Sequence, residues 1–61
     1  MPLINVTMFP GRTEEQKREL VRELTDAFAR TCDANPDGVW VTINEVPPER
    51  WAVGGRLISD R

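Results

Sequence analysis

Residues 3 to 9, Leu-Ile-Asn-Val-Thr-Met-Phe, alternate between two faces. Ile4, Val6 and Met8 share one; Leu3, Asn5, Thr7 and Phe9 share the other. A period of two carried by β-branched residues predicts a strand, and Pro10-Gly11 ends it. The period then changes. Leu20, Leu24, Ala27, Phe28 and Thr31 recur at helical spacing, with Val21 and Cys32 widening the apolar stripe, while Arg18, Arg22, Asp26 and Arg30 mark the opposite side. Thr13-Glu14-Glu15-Gln16 opens this helix as a capping box, in which the Thr13 hydroxyl accepts from the Gln16 amide and Gln16 reaches back. Glu14 and Glu15 sit where the helix dipole favours negative charge. The helix should run about five turns, ended by the turn formers Asp33-Ala34-Asn35-Pro36-Asp37-Gly38. Period two returns from Val39 to Val46, with Val39, Val41 and Ile43 on one face and Trp40, Thr42 and Asn44 on the other. Pro47-Pro48 stops that strand. In the tail, Glu49 to Arg61, Gly54-Gly55 predicts a tight hairpin.

Strand, long helix, strand is a βαβ unit, so the expected fold class is α/β with parallel strands, a right-handed crossover and a short C-terminal hairpin. Residues 1–61 are expected to form a single domain. One helix covers only one face of a sheet. Leu3, Phe9 and Trp40 then lie on the uncovered face beside Asn5 and Thr7, and two strands leave two open edges. A chain of this size buries only about 60% of its unfolded surface and is marginal without staples. With one cysteine, Cys32, it has no internal disulfide. Self-association is the remaining common remedy.

The charge balance is 8 basic against 10 acidic residues, a net charge of −2. That sign disfavours nucleic-acid binding by a basic surface. No histidine is present, so Ser-His, Cys-His and His-ligated metal chemistry are excluded, and a lone cysteine excludes a multi-cysteine zinc site. No apolar run approaches the length of a membrane span, and the N-terminus has no signal-peptide pattern. A cytoplasmic location with no membrane partner is the expectation.

The residue with the most chemical potential is Pro2. Removal of Met1 would leave a secondary amine on a rigid ring anchored by the following strand. Apolar burial and nearby arginine cations would both disfavour its charged form and make it a base near neutral pH. The alternative is a trimmed terminus with no role. Arg12 follows Gly11 in the turn before the helix. Its guanidinium can hold a carboxylate with two bonds, helped by the adjacent helix start, or can be a solvated loop arginine. Trp51 suits a pocket wall or an interface anchor. Trp40, mid-strand on the uncovered face, reads first as interface packing. Cys32, at the stripe's margin, reads as a buried thiol. Spacing assigns no role to Glu45 or Asp60.

Met1-Pro2, the short strand, Gly11-Arg12, Glu15-Gln16-Lys17, the second strand ending in Glu45 and Gly54-Gly55 together resemble the 4-oxalocrotonate tautomerase family, over nearly the whole chain and without gaps. The chain is also similar to short homologues of pyrrolobenzodiazepine (tomaymycin-type) antibiotic biosynthesis. The resemblance implies βαβ protomers pairing into a four-stranded sheet and three such dimers forming a homohexamer, with sites built by more than one subunit. It implies Pro2 as general base, Arg12 as the carboxylate-binding arginine and Trp51 as the hydrophobic wall, where well-known members carry phenylalanine. Phe9 would help to keep the site dry. Those members carry a second arginine where this chain has Trp40, so Arg50, Arg56 or Arg61 could supply a cation there, or an uncharged substrate end could stack on Trp40. The implied reaction is a cofactor-independent 1,3- or 1,5-keto-enol isomerisation of a small-molecule carboxylate, an unsaturated 2-hydroxy or 2-keto acid such as 2-hydroxymuconate. Hydration, dehalogenation or decarboxylation on the same scaffold, and a non-catalytic oligomeric module, are the alternatives.

Overall fold

The structure is a computed structural model that describes residues 2 to 61. Met1, on whose removal a free amine at Pro2 depends, lies outside the described residues. The first strand, β1, spans Leu3–Met8. The helix, α1, spans Glu14–Cys32, 19 residues. The second strand, β2, spans Trp40–Glu45 and pairs parallel with β1, from Leu3 opposite Trp40 to Met8 opposite Glu45. A C-terminal hairpin of β3, Ala52–Val53, and β4, Arg56–Leu57, completes the order. The fold is the βαβ unit with parallel strands that the hydrophobic periods predict, followed by the hairpin that Gly54-Gly55 predicts.

Local chemistry accounts for the boundaries. The capping box is formed: the Thr13 amide donates to Gln16 Oε1 at 2.9 Å, and the Gln16 amide donates to Thr13 Oγ1 at 3.0 Å. At the other end Asp33 takes the left-handed conformation, φ 53°, and Ala34 donates to the Ala29 carbonyl at 3.1 Å. Both strands are shorter than their alternating runs. Phe9 precedes Pro10, which has no amide to continue a ladder. Val39 gives its amide to the Pro36 carbonyl in the 3₁₀ turn Pro36–Gly38. Val46 still donates to Met8 at 2.9 Å, but Pro47 follows. In the hairpin, Gly54 and Gly55 have φ of 61° and 84°, the positive pair that a two-residue primed turn requires.

Ile4, Val6, Met8, Val41 and Ile43 are half-buried beneath Leu20, Val21, Leu24, Ala27 and Phe28 of α1. The other sheet face is open. Leu3 and Trp40, opposite each other, are exposed by 59% and 55%, and next to them Thr42 donates to Asn5 Oδ1 at 3.0 Å. One expectation is corrected. Cys32 is exposed, as is Thr31, rather than buried at the stripe's edge. Nineteen helical residues run about 28 Å, whereas six strand residues run about 20 Å, so the last helical turn passes beyond the sheet.

No described residue is fully buried in the single chain. Its accessible surface, 4786 Å², exceeds the roughly 4,000 Å² of a folded monomer of this mass. Its radius of gyration, 14.6 Å, exceeds the roughly 10.5 Å of a compact chain of this length. The protomer has the surface of a part rather than a whole.

Candidate active site

Pro2 is half-buried at the start of β1, and its carbonyl accepts from the Trp40 amide at 3.0 Å. The parallel register therefore fixes Trp40 beside it. Ala34, Asn35 and Gly38, from the segment that leaves α1, border with Pro2 and Trp40 an open cavity of about 410 Å³. The turn there is held by Asn35, whose Oδ1 accepts from the Asp37 amide at 3.0 Å.

The other end of β1 carries the cation. Gly11 adopts φ 120°, a conformation that side chains rarely take, and this bends the chain between Phe9 and the helix start. Arg12 follows, exposed and without an ion-pair partner among the described residues. It borders a cavity of about 550 Å³ with Met8, Phe9, Pro10, Gly11 and Trp51. The Phe9 and Trp51 rings pack with centroids 4.3 Å apart and planes tilted by 42°. That contact anchors the C-terminal segment to the end of β1, and Ile58 donates to the Trp51 carbonyl at 2.7 Å to hold the segment's return. Arg12 also borders a smaller cavity, about 270 Å³, with Met8, Gln16, Lys17 and Leu20.

Lys17 and Glu45 are contributors that spacing did not reveal, being 28 residues apart. Lys17 Nζ donates to Glu45 Oε1 at 2.9 Å and stands 4.0 Å from Glu14. The pair ties the start of α1 to the end of β2 and so frames the loop that carries Arg12. The bond to Glu45 raises the Lys17 pKa above the ordinary lysine value, with smaller electrostatic help from Glu45 and Glu14. Of the other arginines considered, Arg50 donates to the Glu49 carbonyl at 3.3 Å and Arg56 to the Asp60 carbonyl at 3.0 Å. Both belong to the C-terminal segment, away from the Pro2 cavity.

Phe9, Arg12 and Trp51 thus converge, and so do Pro2 and Trp40, but the two groups do not meet within one chain. Seven residue steps of extended strand separate Pro2 from Phe9, about 23 Å, beyond the span of one arginine and a small acid.

A parallel βαβ protomer with Pro2 at one strand end and an arginine-aromatic pocket at the other defines a tautomerase-type fold. The tautomerase enzyme family model matches residues 2–61, and the chain belongs to that family. It is 43% identical to a probable tautomerase of Staphylococcus epidermidis over 61 residues, all of both chains. Among solved structures it is similar to TomN, a 4-oxalocrotonate tautomerase homologue in the tomaymycin biosynthetic pathway, with a TM-score of 0.92 and 42% identity, covering 98% of this chain and 92% of that one. It is similar also to a heterohexameric 4-oxalocrotonate tautomerase of Chloroflexus aurantiacus, with a TM-score of 0.89 and 43% identity, covering 98% and 97%. Family membership supports an isomerase-type enzyme. No helix among the described residues is long and apolar enough to cross a membrane.

Proposed function

We propose that the protein is a keto-enol isomerase of unsaturated 2-hydroxy acids, such as 2-hydroxymuconate, with the Pro2 nitrogen of the processed chain as its base. Pro2 takes the enol proton. The oxygen electrons form the carbonyl, the double bonds shift along the chain, and the same proton is returned to the third or fifth atom of the conjugated path. No atom is gained or lost, and Pro2 ends neutral. Arg12 binds a carboxylate through two parallel bonds. Trp51 and Phe9 exclude water, which strengthens that interaction and helps to keep the amine uncharged.

The observation that carries this reading is the split of the site between the two ends of β1. Pairing two copies of β1 antiparallel along their free edges sets the Pro2 end of each against the Arg12 end of the other. A two-fold axis then completes two sites at once and makes a four-stranded sheet. Three such dimers, packed through the open faces that carry Leu3, give a homohexamer. The likeness to TomN makes antibiotic biosynthesis one setting for the activity.

Intact mass of natively produced protein tests the base directly: loss of Met1 is required, and a retained methionine would make the Pro2 nitrogen an amide and end the proposal. Ketonisation of 2-hydroxymuconate followed by ultraviolet absorbance tests the reaction. Wild-type turnover that Pro2→Ala removes is expected; equal turnover in the variant would contradict it.

A further inference from the structure

The cavity over Pro2 is lined by Pro2, Ala34, Asn35, Gly38 and Trp40, and none of these side chains is charged. Its volume of about 410 Å³ lies within the usual range for small-molecule sites, about 300–1,000 Å³. Trp40 is 55% exposed in the single chain and held by its backbone bond to Pro2, so its indole is presented on a fixed strand. With one carboxylate bound at Arg12, a second one here would lose hydration with no cation among these residues to replace it, a loss on the order of several kcal/mol. A flat apolar group would gain from stacking on the indole. At the opposite end, Arg12 supplies one guanidinium, suited to one carboxylate.

We infer that the preferred substrate has a single carboxylate and that its far end is an uncharged, planar apolar group, aryl or alkenyl, held by Trp40. This rests on the Pro2 reading above and narrows its substrate class. The chemistry is coherent with the placement. When a 2-hydroxy-2,4-dienoate bears an aryl group on C5, the carbon that receives the proton adjoins that group. Pro2 and Trp40 then act on neighbouring atoms, while the C1 carboxylate lies toward Arg12.

The test compares kcat/KM for two matched dienols, 2-hydroxymuconate and 2-hydroxy-5-phenylpenta-2,4-dienoate, which differ only in the far group. The wild-type enzyme should favour the phenyl compound by about tenfold or more. Trp40→Arg should reverse that preference, and Trp40→Ala should lower kcat/KM for the phenyl compound about tenfold more than for the dicarboxylate. Trp40→Ala keeps the test open should the arginine variant fail to assemble. A wild-type preference for the dicarboxylate, or a ratio that neither variant moves, overturns the inference and leaves Pro2 as the base untouched. Turnover of both compounds that survives Pro2→Ala overturns the base instead. Wild-type inertness toward both overturns both.

Discussion

At its first residue β1 is flanked by Pro2 and Trp40; just past its last residue come Phe9, Arg12 and the packed ring of Trp51. The first end offers a nitrogen and an aromatic face without charge. The second offers a cation framed by aromatic rings and by the Lys17–Glu45 pair. An amine that must be neutral to act as a base is served by apolar surroundings, and a substrate anion is served by a guanidinium. One strand holds the two requirements apart, and in the proposed dimer the pairing of chains brings them together. A small protein can thereby present opposed environments without a core large enough to separate them.

The division predicts distinct losses at the two ends. Pro2→Ala should have the largest effect, lowering kcat by about 10²–10⁴-fold while KM changes little; a matching rise in KM would blur the distinction. Arg12→Ala should act mainly through binding, raising KM by about 10–100-fold, as expected for losing a charge-assisted pair worth roughly 1.5–3 kcal/mol. Trp51→Ala should remove the contact with Phe9, worth about 1 kcal/mol beyond buried area. It should lower the thermal midpoint, weaken binding at the Arg12 end and move the Pro2 amine's titration upward, because water then reaches the site. The smallest effect concerns pH. Because Glu45 raises the Lys17 pKa, their contribution to stability is complete below the ordinary lysine pKa and disappears as pH rises through the raised folded value. The thermal stability of the wild type should fall above a pH of about 10, and Lys17→Met should flatten that particular decline.

The alternating runs, the helical stripe and Thr13-x-x-Gln16 made the βαβ unit legible from residues alone, because each signal is local. Gly54-Gly55 announced the hairpin for the same reason. What escaped depends on relations between distant residues. Lys17 meets Glu45 only after the strands pair. Cys32 matched the stripe, but its exposure follows from the helix being longer than the sheet beneath it. The candidate site residues were nameable one by one, whereas their separation into two groups is a consequence of strand length and direction. Trp40 shows the limit most clearly. Its face was readable from alternation, but its place in a cavity with Pro2 needed the register and the Pro36–Gly38 turn.

Subunit complementation tests the shared site most directly. Pro2→Ala and Arg12→Ala proteins are mixed, unfolded and refolded together, then assayed far below KM, where each alone should show about a tenth of the wild-type rate or less. If Pro2 of one chain works with Arg12 of its neighbour, half of the random pairs are mixed and each carries one intact site, so activity should return to about a quarter of the wild-type value. A refolded mixture no more active than its separate components would contradict the account.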